Sequence, residues 1–404
     1  MNTDKHGFFS ASSAPTSALL STSPRLNNWR TIARILGKTA VLFLLLNAIF
    51  AVLYPMEALG RVSLYNWLLP GRERLPYGEN PAESYNLSTC NVPAMFASHT
   101  LQQPKAADEF RVLLIGDSGT WGWFLENEDT LAAQLNGMGL EAGNGRSVQV
   151  YNLGYPVMAL TKDVMLLQEA MRYDPDLILW PVTLESFPRD KQLFPPLVQN
   201  NPERVRALIN DYNLDLDAQD GRFADPVFLD RTLVGQRRNL ADWLRLQAYG
   251  FSWAATGIDQ AIPADIPLRT SDFDADLSWQ SFSEPATLTP DDLAFDVLAA
   301  GMDIASNVIA SNVPVLLINE PIFISSGQNS DLRYNAFYPR WAYDQYREML
   351  RETAVAQNWP LLDLWNAIPP AEFTDTPVHL TPAGNQLYAQ KVAEALRSFL
   401  KIKD

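Results

Sequence analysis

Cysteine and histidine are scarce in this 404-residue chain. The only cysteine is Cys90, which excludes an internal disulfide and a cysteine-based metal site. Histidine occurs only as His6, His99 and His379, too few for a histidine-rich zinc site. We therefore expect no metal site built on cysteine or histidine. The reaction inferred below is also expected to need no cofactor.

Positive charge is also in short supply. The chain has 31 basic and 46 acidic residues, a formal net charge of −15. An acidic surface repels phosphate backbones, so we expect no nucleic-acid partner. Apolar residues make up 47% of the chain and charged residues 19%, enough for a globular core. The length allows one large domain with an insertion, or two domains.

Near the N-terminus one stretch carries no charge at all. Residues 39–56 are 18 uncharged, mostly apolar residues, at the lower end of membrane-spanning length. A buried core helix would show a polar face, and here only Thr39 and Asn47 are polar. The pattern predicts a membrane anchor. Residues 1–28 before it are rich in Ser, Thr, Ala and Pro and are expected to be disordered.

Charge predicts the orientation of this anchor. Residues 1–38 hold five basic residues and one acidic residue, a net charge of +4. Since basic flanks stay on the cytoplasmic side, we expect a cytoplasmic tail over 1–38 and an extracytoplasmic body. A cleaved signal peptide is the alternative. The long leader and the lack of a small-x-small site near Tyr54 favour a retained anchor.

Strands and helices alternate in the rest of the chain. Residues 57–107 are predicted to be a turn-rich connector, and 108–404 an α/β domain interrupted by an insertion over 187–290 that caps one end of the sheet. Strands are predicted over 111–115, 147–153, 176–182, 313–318 and 360–364. Helices are predicted over 126–136, 161–173, 231–247, 291–310, 338–357 and 381–400. This alternation is typical of right-handed crossovers and a parallel sheet.

Two short segments carry candidate chemistry. Ser118 follows the first strand, at the sheet edge where open α/β proteins place their ligands, although an ordinary Gly-Asp-Ser turn is the alternative. His379 lies just before the closing helix, with Asp375 four residues earlier. A carboxylate that orients a histidine next to a serine is a nucleophile-activating arrangement. The alternative for His379 is packing on the helix cap.

These motifs together resemble the SGNH (GDSL-type) hydrolases. The resemblance rests on Gly116-Asp117-Ser118, Asn152-Leu153-Gly154 and His379-Leu380-Thr381-Pro382-Ala383-Gly384, and covers about half the chain. It implies a flavodoxin-like three-layer α/β/α sandwich and ester or acyl-transfer chemistry. It also implies roles for single residues: Ser118 as nucleophile, His379 as general base, Asp375 as its orienter, and Gly154 with Asn152 at the oxyanion or substrate site.

The chain departs from the family pattern twice. The block after the third strand lacks the family's asparagine, and Glu185 falls nearest its place. A hydroxyl from Thr183 or Ser186 is the substitute we expect for that oxyanion donor. Three residues rather than two separate Asp375 from His379, which puts Thr376 at the usual position of the acid.

Two functions from different classes follow. The first is an extracytoplasmic, membrane-anchored serine esterase or O-acyltransferase that acts on acyl groups, with acetyl favoured, of a glycan or lipid. The second is a non-catalytic module that binds glycan or serves as an accessory subunit of a membrane acyl-transfer assembly. Asn319, Glu320, Trp121 and Trp123 stay outside the predicted catalytic set.

Overall fold

The computed structural model describes residues 29–69, 71–77, 91–256, 269–273, 287–307 and 312–400. The tail 1–28, predicted to be disordered, lies outside the described residues, as do Cys90 and much of the insertion's last part.

Five parallel strands form one sheet in the order β2-β1-β3-β4-β5. The strands are β1 Glu109–Gly116, β2 Ser147–Gly154, β3 Leu177–Val182, β4 Val315–Asn319 and β5 Leu361–Asp363. This order is that of the flavodoxin-like doubly wound fold. β2 is added on one side of β1, and β3, β4 and β5 are added in turn on the other side. All five predicted strands are present, with ends shifted by a few residues.

Twelve α-helices lie in the described part of the chain. They are α1 Trp29–Leu53, α2 Met56–Gly60, α3 Val92–Ala97, α4 Ser118–Trp121, α5 Leu131–Gly137, α6 Leu160–Ala170, α7 Pro196–Gln199, α8 Pro202–Tyr212, α9 Arg237–Thr256, α10 Phe295–Asn307, α11 Arg340–Gln357 and α12 Pro382–Leu400. The closing helix begins as predicted, since the Thr381 hydroxyl accepts from the Gly384 N–H at 3.0 Å.

Both faces of the sheet are covered by helices. Along β1, Leu113 and Ile115 join one apolar cluster, and Val112 and Leu114 join the other. The first cluster includes residues of α6, α10 and α11, and the second includes residues of α5 and α12. Because successive strand side chains point to opposite faces, a strand buried on both sides has no polar alternation. The predicted three-layer α/β/α architecture is confirmed.

Two predicted helices have different bounds. The helix predicted over 126–136 is a short 3₁₀ turn at Asn127–Asp129 followed by α5. Thr130 separates them, because its hydroxyl accepts from the Ala133 N–H at 3.3 Å and caps α5. In the insertion, α9 begins at Arg237 and not at residue 231.

The apolar N-terminal helix is longer than the predicted anchor and begins earlier. α1 has 25 residues, and its mean hydropathy reaches 2.2 over an 18-residue window of which 11% is buried. Among the described residues it is the one helix long and apolar enough to cross a membrane, and a signal sequence would pass the same test. It ends at Leu53, ahead of Pro55, which cannot continue the helical hydrogen bonding.

The connector packs into the α/β domain through a buried histidine. His99 is fully buried, and its Nε2 lies 3.1 Å from the Glu73 carbonyl and 3.0 Å from the Asn152 carbonyl. Its Nδ1 accepts from the Leu101 N–H at 3.0 Å. Burial lowers the pKa of His99 to about 4, so its ring is neutral in the folded protein near pH 7. The connector is therefore joined to the end of β2.

Candidate active site

Ser118 lies in a sharp turn where β1 meets α4. Asp117 precedes it and accepts a hydrogen bond from the Gly119 N–H at 2.8 Å, which caps this short helix. The helix ends at Gly122, whose φ of 90° is a left-handed conformation that favours glycine. The turn places the Ser118 side chain at the carboxyl edge of the sheet, within an open cleft.

His379 and Asp375 meet Ser118 across 261 positions of sequence. The Ser118 hydroxyl oxygen lies 2.8 Å from His379 Nε2, and His379 Nδ1 lies 2.8 Å from Asp375 Oδ1. The imidazole is buried on most of its surface, and Asp375 is about one-third exposed. The three residues form one continuous hydrogen-bonded chain from carboxylate to hydroxyl.

The loop that holds His379 is closed by its own backbone. The Thr374 N–H donates to the His379 carbonyl at 2.9 Å, and the Thr374 hydroxyl donates to Asp375 Oδ1 at 3.1 Å. Thr376, at the position where the family has its acid, accepts from the His379 N–H at 3.2 Å. The extra residue in this loop is therefore accommodated while Asp375 still reaches the ring.

Asp375 is held in its ionised form. Partial burial opposes ionisation, but the hydrogen bond and charge interaction with His379, with a further hydrogen bond from Thr374, outweigh it and lower the pKa of Asp375. A carboxylate in this position accepts from Nδ1 and leaves Nε2 free to accept the serine proton.

One aromatic side chain supports the imidazole. The Trp123 ring stacks on His379 with centroids 6.2 Å apart and planes 26° from parallel. Trp121 instead donates from its indole nitrogen to the Leu75 carbonyl at 2.9 Å and lies under the Arg74 guanidinium. Neither tryptophan is among the residues that line the cleft. Both tryptophans pack within the structure, and Trp123 packs against the imidazole of the site itself.

The predicted oxyanion residues Gly154 and Asn152 are hydrogen-bonded to each other. The Gly154 N–H donates to the side-chain oxygen of Asn152 at 3.0 Å, and the Asn152 amide donates to the Trp121 carbonyl at 3.3 Å. A Cβ at Gly154 would come 2.4 Å from the Trp121 nitrogen, so glycine is needed for this close approach. Asn152 thus joins the end of β2 to α4. Its side-chain oxygen accepts the hydrogen bond of the Gly154 N–H, which was expected to face substrate.

Thr183 already has a hydrogen-bond partner within the fold. Its side chain is fully buried, and its hydroxyl donates to the Tyr338 hydroxyl at 3.0 Å. It is not among the residues that line the cleft, and its role as an oxyanion donor stays a prediction. Glu185 does line the cleft, and its carboxylate forms an ion pair with Lys191. This pairing offsets the negative charge that Glu185 brings to the cleft.

The cleft has a volume of about 600 Å³ and joins the sheet edge to the insertion. Its lining residues are Ser118, Val157, Met158, Glu185, Asp190, Lys191, Phe194, Arg222, Phe337, Thr376, Val378 and His379. The insertion supplies four of them, including the charged Asp190, Lys191 and Arg222. Val157 has a φ of 72°, a conformation that is strained for a β-branched residue and is typical of functional sites.

A buried ionic cluster lies behind the nucleophile turn, and sequence reasoning missed it. Lys162 is fully buried, and its ammonium donates to the carbonyls of Gly116 at 2.7 Å and Tyr155 at 2.6 Å. It also pairs with Asp163 at 2.7 Å. The only signal in the sequence is a lysine–aspartate pair directly before the apolar run 164–167 of α6. The cluster fixes the ends of β1 and β2, which carry the site.

Glu320 completes this cluster from the end of β4. Burial, followed by the neighbouring charges of Asp117 and Asp163, raises its pKa well above the usual range of a glutamate. A protonated Glu320 donates a hydrogen bond to the Asp117 carboxylate that caps α4. Asn319 beside it donates to Asp363 at 2.8 Å. Both side chains are thus bonded to residues of the scaffold.

No family model matches the chain, and no curated protein matches it. Solved structures that resemble it include a carbohydrate acetylesterase family member from Sinorhizobium meliloti, with 11% identity, 72% of this chain and 99% of that chain covered, and a TM-score of 0.33. A G-D-S-L family lipolytic protein from Veillonella parvula covers 71% and 98% at 11% identity and a TM-score of 0.34. A lipase/acylhydrolase from Enterococcus faecalis covers 73% and 98% at 15% identity and a TM-score of 0.34. These overall likenesses are distant, so the functional conclusion depends on the geometry of the site.

Proposed function

We propose that this protein is a serine esterase or O-acyltransferase of the SGNH type. The observation that supports it is the hydrogen-bonded chain from Asp375 through His379 to Ser118, open to a cleft of about 600 Å³. A serine hydroxyl is a weak nucleophile until a base takes its proton, and this arrangement supplies the base and the group that orients it.

In the proposed reaction, the Ser118 oxygen attacks the ester carbonyl carbon while His379 Nε2 takes the hydroxyl proton. The tetrahedral intermediate then expels the alcohol, which receives that proton from His379, and an acyl-serine remains. His379 then deprotonates water or a second hydroxyl, which attacks the acyl carbon. The acyl group leaves Ser118, and the Ser118 oxygen takes the proton back from His379. Asp375 stabilises the transient imidazolium and stays ionised. Hydrolysis and transfer use the same residues and differ in the acceptor that the cleft admits.

The oxyanion site in this proposal begins with the N–H of Ser118. The Gly154 N–H joins it only when its bond to the Asn152 side chain is released, for example by the ligand itself. Each donor aimed at the oxyanion lowers the barrier by roughly 3 kcal/mol. The substrate class that we propose is a small acyl ester, with acetyl favoured, on a glycan or lipid outside the cytoplasm. α1 is the proposed anchor, and its basic N-terminal flank favours an extracytoplasmic position for the cleft.

The second candidate is a non-catalytic module that binds glycan or assists a membrane acyl-transfer assembly. One observation favours it: the N–H of Gly154 is already bonded to Asn152, and Thr183 is bonded to Tyr338. In such a module Ser118 would be a ligand contact and would not form an acyl intermediate.

Active-site labelling distinguishes the two. The full-length protein in detergent is incubated with a fluorophosphonate probe and assayed with 4-nitrophenyl acetate. We expect labelling of the wild type, loss of labelling in Ser118→Ala, and a fall in kcat of at least about 10³-fold. Ser306→Ala on α10 is the matched control, because its hydroxyl donates to the Met302 carbonyl and does not line the cleft. A folded wild-type protein that resists the probe would favour the binding module.

A further inference from the structure

The insertion exposes a group of apolar side chains, here called the apolar patch. It consists of Val227, Phe228, Leu229, Val234 and Leu244, which are between 47% and 72% exposed. Single exposed apolar residues are ordinary, but five within an 18-residue segment, three of them consecutive, mark a contact surface. The question is what covers this one.

The patch is continuous with α1. The Val234 N–H donates to the side-chain oxygen of Asn47 at 3.1 Å, and Asn47 is buried within a helix that is otherwise mostly exposed. The Arg231 guanidinium lies 5.3 Å from the centre of the Tyr54 ring, just past the end of α1. The insertion therefore packs along the last turns of the proposed anchor.

The position of Asn47 along α1 sets the depth of this contact. Nine residues separate Lys38, the last charge before the apolar run, from Asn47, which is about 14 Å of helix. The hydrocarbon core of a bilayer is about 30 Å thick. Measured from Lys38, a span of this thickness would run past Leu53, where α1 ends. A span of about 30 Å that ends at Leu53 begins near Arg34, and the Lys38 side chain then reaches back to the cytoplasmic surface. Asn47, and Val234 bonded to it, lie about 9 Å inside the outer edge of this span, within the outer leaflet.

The backbone around the patch is suited to a low-dielectric environment, because its polar groups are bonded locally. The Val227 N–H donates to the Asp230 carboxylate at 3.0 Å, and the Thr232 hydroxyl donates to the Leu229 carbonyl at 2.7 Å. The Val234 N–H donates to the side-chain oxygen of Asn47, as described above. Unsatisfied backbone groups are what normally exclude loops from lipid.

The same segment is basic in an acidic protein. Residues 227–249 contain four arginines and two aspartates, a net charge of +2, whereas the whole chain carries −15. Arg238 and Arg245 share Asp242 on α9, and Arg231 pairs with Glu203, which lies outside the segment. Arginine beside exposed apolar side chains is the composition of segments that lie at an anionic membrane surface.

We propose that residues 227–249 form a second membrane contact, in which the apolar patch enters the outer leaflet beside α1 and the arginines meet anionic headgroups. This inference rests on the proposed anchoring by α1. Arg222, which lines the cleft, lies only five residues before Val227. Because five residues span at most about 18 Å, the contact holds this wall of the cleft within that distance of the patch, where a membrane-bound acyl donor or acceptor would be presented.

Depth-dependent quenching tests the proposal on the full-length protein in nanodiscs. In a Cys90→Ser background, single cysteines replace Phe228 in the patch, Leu44 in α1 and Val355 on α11, and each carries the same fluorophore. Leu44 and Val355 are both exposed apolar residues, so they report the anchor and a control surface. We expect spin-labelled lipid to quench the fluorophore at 228 at least about threefold more than at 355, and aqueous iodide to do the reverse.

The probe at 44 separates failure of the inference from failure of the anchor. Lipid quenching at 44 with only iodide quenching at 228 would leave the anchor in place and overturn the patch contact. Iodide quenching at 44 would overturn the anchor and the contact with it. Shielding of 228 from both quenchers would show a protein partner or a second copy on the patch, and would also overturn the proposal.

A lipid-composition arm tests the arginines. Lipid quenching at 228 should rise when phosphatidylglycerol is added to phosphatidylcholine nanodiscs. Arg237→Gln combined with Arg238→Gln should abolish that rise, and Arg351→Gln on α11 should not. An unchanged response in the double variant would refute the headgroup contact.

Discussion

The buried histidine of the connector gives a prediction whose size follows from the structure. His99 has a pKa of about 4 in the folded protein, because burial disfavours its charged form, against an ordinary value of about 6.5. The difference of about 2.5 units is worth about 3 kcal/mol, at about 1.4 kcal/mol per unit. Between pH 6.5 and pH 4 the unfolded chain binds the proton and the folded chain does not. Stability therefore rises with pH across this window.

The perturbation is His99→Gln, which keeps a donor near the carbonyls of Glu73 and Asn152 and removes the titration. This variant loses some packing at every pH. The informative quantity is the stability of the wild type minus that of the variant. We expect this difference to fall by about 3 kcal/mol as the pH is lowered from 7 to 4. Buried Glu320 and Asp163 have raised pKa values, so their contribution to stability falls as the pH rises, opposite to that of His99. Both are present in the wild type and in the variant, so their contributions cancel in the difference.

The assay is urea unfolding of the full-length protein in detergent, followed by tryptophan fluorescence at half-unit pH steps. Ring NMR of a histidine-labelled sample gives the folded titration directly and serves as a second measurement. A wild-type minus variant difference that stays constant with pH would refute the argument, because it would mean that folded and unfolded chains protonate residue 99 alike.

Three further predictions concern the site. Asp375→Asn should keep the fold and lower kcat by roughly 10³- to 10⁴-fold, because the neutral amide no longer orients or stabilises the imidazole; an effect below tenfold in the acetate assay would contradict the proposed role. Lys162→Met should destabilise the protein by about 3–5 kcal/mol in urea unfolding by leaving Asp163 buried and unpaired, and adding Asp163→Leu should recover part of this loss. Thr183→Val should change kcat by less than about threefold, since its hydroxyl is bonded to Tyr338; a loss of 10²-fold or more would support its role as an oxyanion donor.

The sequence alone was enough for the five strands and for the helices that alternate with them, although it did not indicate α8. Strands are short apolar runs, and each was recognisable because its pattern depends only on neighbouring residues. The same holds for the closing helix and for the uncharged run, most of which lies in α1. The juxtaposition of Ser118 with His379 required the family resemblance, since nothing local to either residue points to the other.

Tertiary structure decided what each polar side chain near the site is bonded to. Thr183 and Tyr338 are 155 positions apart, and His99 and Asn152 are 53 apart. A hydrogen bond depends on distances of tenths of an ångström between groups that only the completed fold brings together, and no local pattern encodes them. The hydrogen-bond partners of Thr183 and Asn152 could not be read from the sequence for this reason. The burial of Lys162 was equally invisible, because its cost is offset by carbonyls and a carboxylate that arrive from other strands and turns.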